Sequence, residues 1–222
     1  MKKTLLILLA LAAGTTALRA QPDSLDYRGD YYFAKRAQQE RETVHARNIV
    51  MLGNSLTERG AWADILQDSL VLNRGIGGDC VAGMTARLGA IVAGNPRAIF
   101  LMAGVNDLIF SKITPEALLG QYERLLDAIR TASPRTTVFI QSLLPLDETQ
   151  NEEYFAGKNA RIEAFNTLLC DMARRRGLDY IDIRSRMARD GKMPAEYTVD
   201  GIHLNAAGYA VWSDVLRPYL PK

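Results

Sequence analysis

A hydroxyl, an imidazole and a carboxylate stand in two short stretches at opposite ends of this chain. Ser55 closes the run Asn48-Ile49-Val50-Met51-Leu52-Gly53-Asn54-Ser55, and His203 lies three residues after Asp200 in Asp200-Gly201-Ile202-His203-Leu204. A serine hydroxyl is a poor nucleophile until a base takes its proton, and histidine can do so near neutral pH. The imidazole must present the correct nitrogen, which an acceptor on its other nitrogen ensures, and Asp200 is close enough across a turn to be that acceptor. Attack on an ester carbonyl creates an oxyanion, which needs preorganised donors worth about 3 kcal/mol each. The backbone N–H groups of Ser55 and Gly78 and the side-chain amide of Asn106 are the donors available. Taken alone, Ser55 has a second reading as the N-cap of the next helix, a position serine favours.

These groups meet only if the elements carrying them end at one place. Ile49 to Leu52 is an apolar run that breaks at Gly53, the mark of a buried parallel strand ending in a tight turn. Leu70 to Asn73 is a second such strand and runs into the glycine-rich turn Arg74-Gly75-Ile76-Gly77-Gly78-Asp79. That turn lacks the G-x-G-x-x-G spacing of a dinucleotide site and is read as a loop aiming one or two N–H groups into a site. Ala98 to Met102, Thr137 to Gln141 and Tyr180 to Ile183 are the remaining strands. Between them, helical patterns cover Gly60 to Asp68, Val81 to Val92, Thr114 to about Ala132 and Ala160 to Arg176, with a last one over Ala206 to Leu216 and an earlier charged one over Tyr31 to Val44. Thr114-Pro115-Glu116 is a helix start, and Gly177 a helix stop. Five strands alternating with helices predict a three-layer α/β/α sandwich with a five-stranded parallel sheet and right-handed crossovers. In such a sheet Ser55, Gly78, Asn106 and the Asp200–His203 segment all reach the carboxyl edge, where open α/β sheets bind ligands.

The blocks GNSL (Gly53 to Leu56), GIGGD (Gly75 to Asp79), GVND (Gly104 to Asp107) and DGIHL (Asp200 to Leu204) resemble the four blocks of the SGNH, or GDSL-like, hydrolases. The run from Val71 to Asp79 is similar to the platelet-activating-factor acetylhydrolase-like branch. The resemblance covers the chain from about Asn48 to its C-terminus. It implies a flavodoxin-like sheet, Ser55 as nucleophile, His203 as base, Asp200 as its partner, Gly78 and Asn106 as oxyanion donors, and no cofactor. In the first block Asn54 stands where the family name has aspartate; that aspartate is not the triad acid, so the change is read as tolerated. Asp79 and Asp107, beside the oxyanion donors, are expected to turn away into structural hydrogen bonds, because a carboxylate facing the site would repel the developing charge.

Composition narrows the rest. The 222 residues, 48% hydrophobic and 23% charged, suit one globular domain, read over 21–222. Lys2 and Lys3, the apolar run Leu5 to Ala13 and Ala17-Leu18-Arg19-Ala20 have the layout of a secretory signal peptide over 1–20, cleaved near Ala20. An exported, periplasmic or extracellular protein is therefore expected. Taking Lys2, Lys3 and Arg19 from the 27 basic residues leaves 24 against 25 acids, a formal net of −1. Such a chain has no electrostatic footprint for nucleic acid, and past the leader no apolar run long enough for a membrane helix. His45 has no acidic or sulfur neighbour at ligand spacing, so no metal site is expected. Cys80 and Cys170 are either a disulfide or two thiols. With no insertion able to form a lipid-binding lid, the expected substrate is a short acyl ester; export and the family resemblance together imply an O-acetyl group on a glycan foremost. The alternatives are a lysophospholipase or thioesterase, and a catalytically silent glycan-binding protein on the same fold.

Overall fold

The computed structural model describes residues 24–221. The leader read over residues 1–20 lies outside them. Five strands, β1 (Ile49–Gly53), β2 (Val71–Gly75), β3 (Ala98–Leu101), β4 (Thr137–Gln141) and β5 (Asp179–Ile181), form one parallel sheet in the order β2-β1-β3-β4-β5. The register aligns Gly53 with Gly75 and Leu52 with Leu101, so β1, β2 and β3 end level with one another. The strand order reverses between β1 and β3. A crevice therefore opens at the carboxyl edge between them, with Ser55 following one strand and Asn106 the other.

The helices are α1 (Asp30–Glu40), α2 (Ser55–Glu58), α3 (Trp62–Leu66), α4 (Val81–Ala86), α5 (Leu88–Val92), α6 (Val105–Phe110), α7 (Pro115–Ala132), α8 (Glu152–Phe155), α9 (Lys158–Arg176), α10 (Arg184–Met187) and α11 (Ala206–Leu216). One group, α4, α5, α7 and α9, packs together; another joins α3, α10 and α11. Helix α3 packs on β2 and α9 on β5, at the two edges of the sheet, and the central strands β1 and β3 are buried along their whole length. The expected start and stop of α7 and α9 are present: the Thr114 hydroxyl accepts from the Ala117 N–H, and Gly177 closes α9 in the left-handed conformation at φ 64°.

The local structure departs from these readings, or adds to them, in four places. The helix expected over Tyr31 to Val44 stops at Glu40. The one expected over Val81 to Val92 breaks at Arg87, whose guanidinium turns inward to a buried carboxylate. The polar turn after β3 is itself a helix, α6, launched by Gly104 at φ 118°; a Cβ there would add crowding from Phe165 and Leu118 at about 3 Å to the strain of a left-handed backbone. The long loop after β4 folds into a single-turn helix over Glu148–Gln150 and α8. Cys80 and Cys170 are separate thiols, and burial pushes the Cys80 thiol up to about 12. No helix among the described residues is long and apolar enough to cross a membrane.

Candidate active site

Ser55 is the first residue of α2, and Asn54 rather than Ser55 is the cap. The Asn54 Oδ1 accepts from the Leu56 N–H at 3.0 Å, which leaves the serine hydroxyl free of helix duty. Asn54 thus has a definite role in the place where the family name carries aspartate, since either side chain offers the capping oxygen. A helix of four residues cannot satisfy its own C-terminal carbonyls. Side chains from three other segments do so instead. Tyr209 of α11 donates its hydroxyl to the Leu56 carbonyl at 2.7 Å, Trp62 Nε1 donates to Thr57 at 2.7 Å, and Asn73 Nδ2 of β2 reaches the carbonyls of Thr57, Glu58 and Gly60 at 2.9 to 3.0 Å. The Trp62, Trp212 and Tyr209 rings pack on one another beneath, with centroids 4.7 to 6.0 Å apart. The serine therefore stands on a short helix held from all sides.

The Asp200–His203 segment folds as a turn over Gly201, at φ 89°. Asp200 divides its carboxylate: Oδ1 accepts from the N–H groups of Ile202 at 3.2 Å and His203 at 2.8 Å, while Oδ2 faces His203 Nδ1 at 2.6 Å. The other imidazole nitrogen, Nε2, lies 3.0 Å from Ser55 Oγ. The structure thus brings hydroxyl, imidazole and carboxylate into one line across 148 residues of sequence. With Asp200 accepting at Nδ1, that nitrogen carries the proton and Nε2 turns its lone pair to the serine. Burial alone would raise the Asp200 carboxyl; the bonds from the His203 backbone and imidazole outweigh it and hold the group below the ordinary carboxylate range. Arg59 Nη1 stands 4.0 Å from the same Oδ2.

Gly78 follows β2 with φ 75°, and a Cβ there would meet nothing within 4 Å. Its need for glycine is therefore conformational. Asn106, on α6, is buried and donates one amide hydrogen to the Asp79 carbonyl at 2.9 Å, leaving the second. Asp79 turns away from the cleft to Arg87 Nε at 2.8 Å and the Cys80 N–H at 2.9 Å. Asp107 accepts from the Val81 N–H at 3.3 Å, and burial pushes its carboxyl up to about 6. Both acids are thus turned into the fold, as the charge argument required.

The line opens onto a cleft of about 680 Å³. Phe110, Phe155 and Ile202 form its apolar side; Tyr31, Lys35, Glu58 and Arg59 form the polar one. None of these wall residues stood out in the sequence. Tyr31 and Lys35 come from a helix ahead of every motif, and Glu58 carries only the signal that it lies one turn beyond Ser55. Among the described residues no cluster of three or more histidine, cysteine or acidic side chains could hold a metal ion.

A doubly wound parallel sheet with a hydroxyl, an imidazole and a carboxylate aligned at its carboxyl edge is the layout of a hydrolase. Residues 51–211 match the GDSL-like Lipase/Acylhydrolase family, and the chain belongs to that family; it is a carboxylic ester hydrolase. The mouse isoamyl acetate-hydrolyzing esterase 1 homolog is 25% identical over 202 residues, 78% of this chain and 81% of the mouse protein. A Streptococcus pneumonia structure solved as a candidate platelet activating factor superposes with a TM-score of 0.77 at 25% identity, covering 86% of this chain and 91% of that one. A GDSL-like lipase from Bacteroides thetaiotaomicron has the same fold, with a TM-score of 0.74 at 18% identity over 85% of this chain and 96% of its own.

Proposed function

We propose that this ester hydrolase works after export and removes short acyl groups, O-acetyl groups on a glycan foremost, through an acyl-enzyme on Ser55. Ser55 Oγ attacks the acyl carbonyl while His203 Nε2 takes its proton. The carbonyl electrons move onto oxygen, where the N–H groups of Ser55 and Gly78 and the free amide hydrogen of Asn106 hold the charge. Collapse breaks the bond to the alcohol, which leaves with the proton from Nε2. Water then attacks the acylated serine with His203 again as base, and the carboxylic acid departs. Asp200 stays ionised throughout and holds the imidazole. The observation that carries this reading is the pair of contacts at 3.0 and 2.6 Å that joins Ser55, His203 and Asp200 at the floor of the cleft.

Export rests on the charged, apolar and small-residue layout of residues 1–20. The acyl preference rests on the cleft. Phe155 and Ile202 are packed into the core and form a wall, and the segment after β4 is folded down as short helices. The name of the mouse relative carries an acetate ester. A series of aryl esters from acetate to octanoate, followed by a screen of acetylated polysaccharides and sialic acids, tests the substrate. The expected result is kcat/KM highest on acetate and at least about tenfold lower on octanoate, the discrimination that a preference for acetyl groups requires. A rate rising towards octanoate would replace this reading with a lysophospholipase or thioesterase.

Asn106→Ala tests the oxyanion assignment separately. It is expected to lower kcat on an aryl acetate by about 10²–10³-fold while KM stays within about threefold, because the lost bond forms only as charge develops. A rise in KM at unchanged kcat would place Asn106 in ground-state binding instead.

A further inference from the structure

One carboxylate beside the nucleophile has more partners than a surface glutamate needs. Glu58 lies three residues after Ser55 on α2, and its side chain is only 14% exposed. Its Oε2 accepts from the Gly77 N–H at 2.6 Å. Its Oε1 accepts from the Tyr31 hydroxyl at 2.6 Å and lies 2.7 Å from Lys35 Nζ, both on α1. Burial pushes this carboxyl up, and the donors from Lys35, Tyr31 and Gly77 more than reverse it, so the group is ionised at neutral pH. The loop it grips fits closely around it. A Cβ on Gly77 would lie 2.9 Å from Glu58 Oε2, 3.3 Å from the Tyr31 ring and 3.9 Å from Ser55 Cβ; one on Gly75 would lie 2.1 Å from the Glu58 nitrogen. The peptide that follows Gly77 carries the Gly78 N–H.

We infer that Glu58 is a positioning residue for the oxyanion hole: it fixes the Gly77–Gly78 loop at a set distance from the serine, and α1 locks it there through Tyr31 and Lys35. This rests on the reading of Gly78 as an oxyanion donor. A plane of backbone N–H groups is useful only when it is held rigidly towards the place where charge forms. Gly78, in the left-handed region with open space around it, has little of its own to hold it. The Gly77 N–H bond supplies that constraint from the nucleophile's own helix, so that loop and serine move as one body. Helix α1, which precedes all four motif blocks in the chain, thereby becomes part of the catalytic apparatus.

The test is Glu58→Ala beside Glu58→Gln, assayed on an aryl acetate with active sites counted by an organophosphonate. Per titrated site, Glu58→Ala is expected to lose about 10- to 100-fold in kcat with KM within about threefold, less than removing a donor outright. Inhibition by phenylboronic acid, which forms a tetrahedral adduct on the serine and uses the same donors, should weaken by the same factor. Glu58→Gln keeps an oxygen for Gly77 and should recover most of the loss. A purely structural role would lower the melting temperature or the count of active sites and leave kcat per site and boronate affinity alone; that result overturns the inference. Should Glu58→Ala fail to fold, Tyr31→Phe and Lys35→Met each remove one anchor from the half-exposed α1. Lower kcat per site and weaker boronate binding in both would support the inference, and unchanged values in both would overturn it. Ser55→Ala run in parallel separates the two readings: an active Ser55→Ala removes the site assignment itself, whereas an inactive one beside a normal Glu58→Ala removes only the role of Glu58.

Discussion

Ser55→Ala is expected to lower kcat on an aryl acetate by about 10⁵–10⁶-fold, and His203→Ala by a similar factor. The double variant should be scarcely worse than either alone. The reason is geometric: Ser55 Oγ and His203 Nε2 are 3.0 Å apart, and in the proposed mechanism they form one proton-transfer unit, the nucleophile inert without its base and the base idle without its nucleophile. What survives should be the part that needs neither, about 10³-fold over water, from the N–H groups of Ser55 and Gly78 and the Asn106 amide acting on a bound ester. Steady-state rates on the single and double variants, with organophosphonate labelling to confirm that only chains with both residues react covalently, make the measurement. Losses that multiply in the double variant would show that serine and histidine act in separate steps, and the acyl-enzyme reading would go.

The parts of this site that were legible in the sequence share one property: each is announced by a break in a local pattern. Ile49 to Leu52 must be a buried strand because nothing polar interrupts it, and Gly53 ends it, so a following serine has to stand at the edge of a sheet. Asp200 and His203 are legible together because three residues across a glycine turn suffice to join carboxylate and imidazole, and the two bonds from Asp200 Oδ1 to the backbone show that the turn is built around that acid. The parallel sheet followed from five short apolar runs separated by helices. The remainder depends on contacts with no local signature. Glu58 grips Gly77 across 19 residues and Tyr31 across 27. Asn73 reaches three carbonyls on the far side of α2, although on its own strand it is merely a polar residue after two apolar ones. Arg87 reads as one more residue of an amphipathic helix until the fold places Asp79 beside it. Asn106 was legible as a polar side chain at the sheet edge, whereas the helix it sits on was not, because a glycine after a strand signals a turn and Gly104 proves to be the first step of α6.

Arg87→Met is expected to destabilise the protein by about 3–5 kcal/mol, the largest loss of stability foreseen for a single exchange outside the nucleophile's surroundings. Arg87 and Asp79 have side chains 2% and 0% exposed, and they meet at 2.8 Å. The guanidinium also donates to the Gly53 carbonyl at 3.1 Å, at the last residue of β1, one step before the Asn54 cap. Methionine fills much of the volume but leaves Asp79 buried without its counter-charge and the Gly53 carbonyl with only the Ile76 N–H of its two donors. Burial already pushes the Asp79 carboxyl above the ordinary range, with Arg87 pulling it back, so removing the cation drives it higher still. The sign follows from linkage. In the unfolded chain this acid loses its proton near pH 4, so above about pH 4 the variant must take up a proton to fold or bury a bare charge, and its deficit grows as pH rises. The parent slopes the same way more gently, because with Arg87 in place burial holds Asp79 up only to about 6; Asp107, also held up to about 6, adds the same slope to both. Urea denaturation of variant and parent, at about pH 5 and about pH 8, should therefore show a larger difference at the higher value. Adding Asp79→Asn removes the stranded charge while keeping an acceptor for the Cys80 N–H, and the double variant should regain all but roughly 1–2 kcal/mol, the worth of the lost hydrogen bonds. A deficit that is flat with pH and untouched by Asp79→Asn would mean that Arg87 matters for its packing and its bond to Gly53, with the buried charge neutralised by another route.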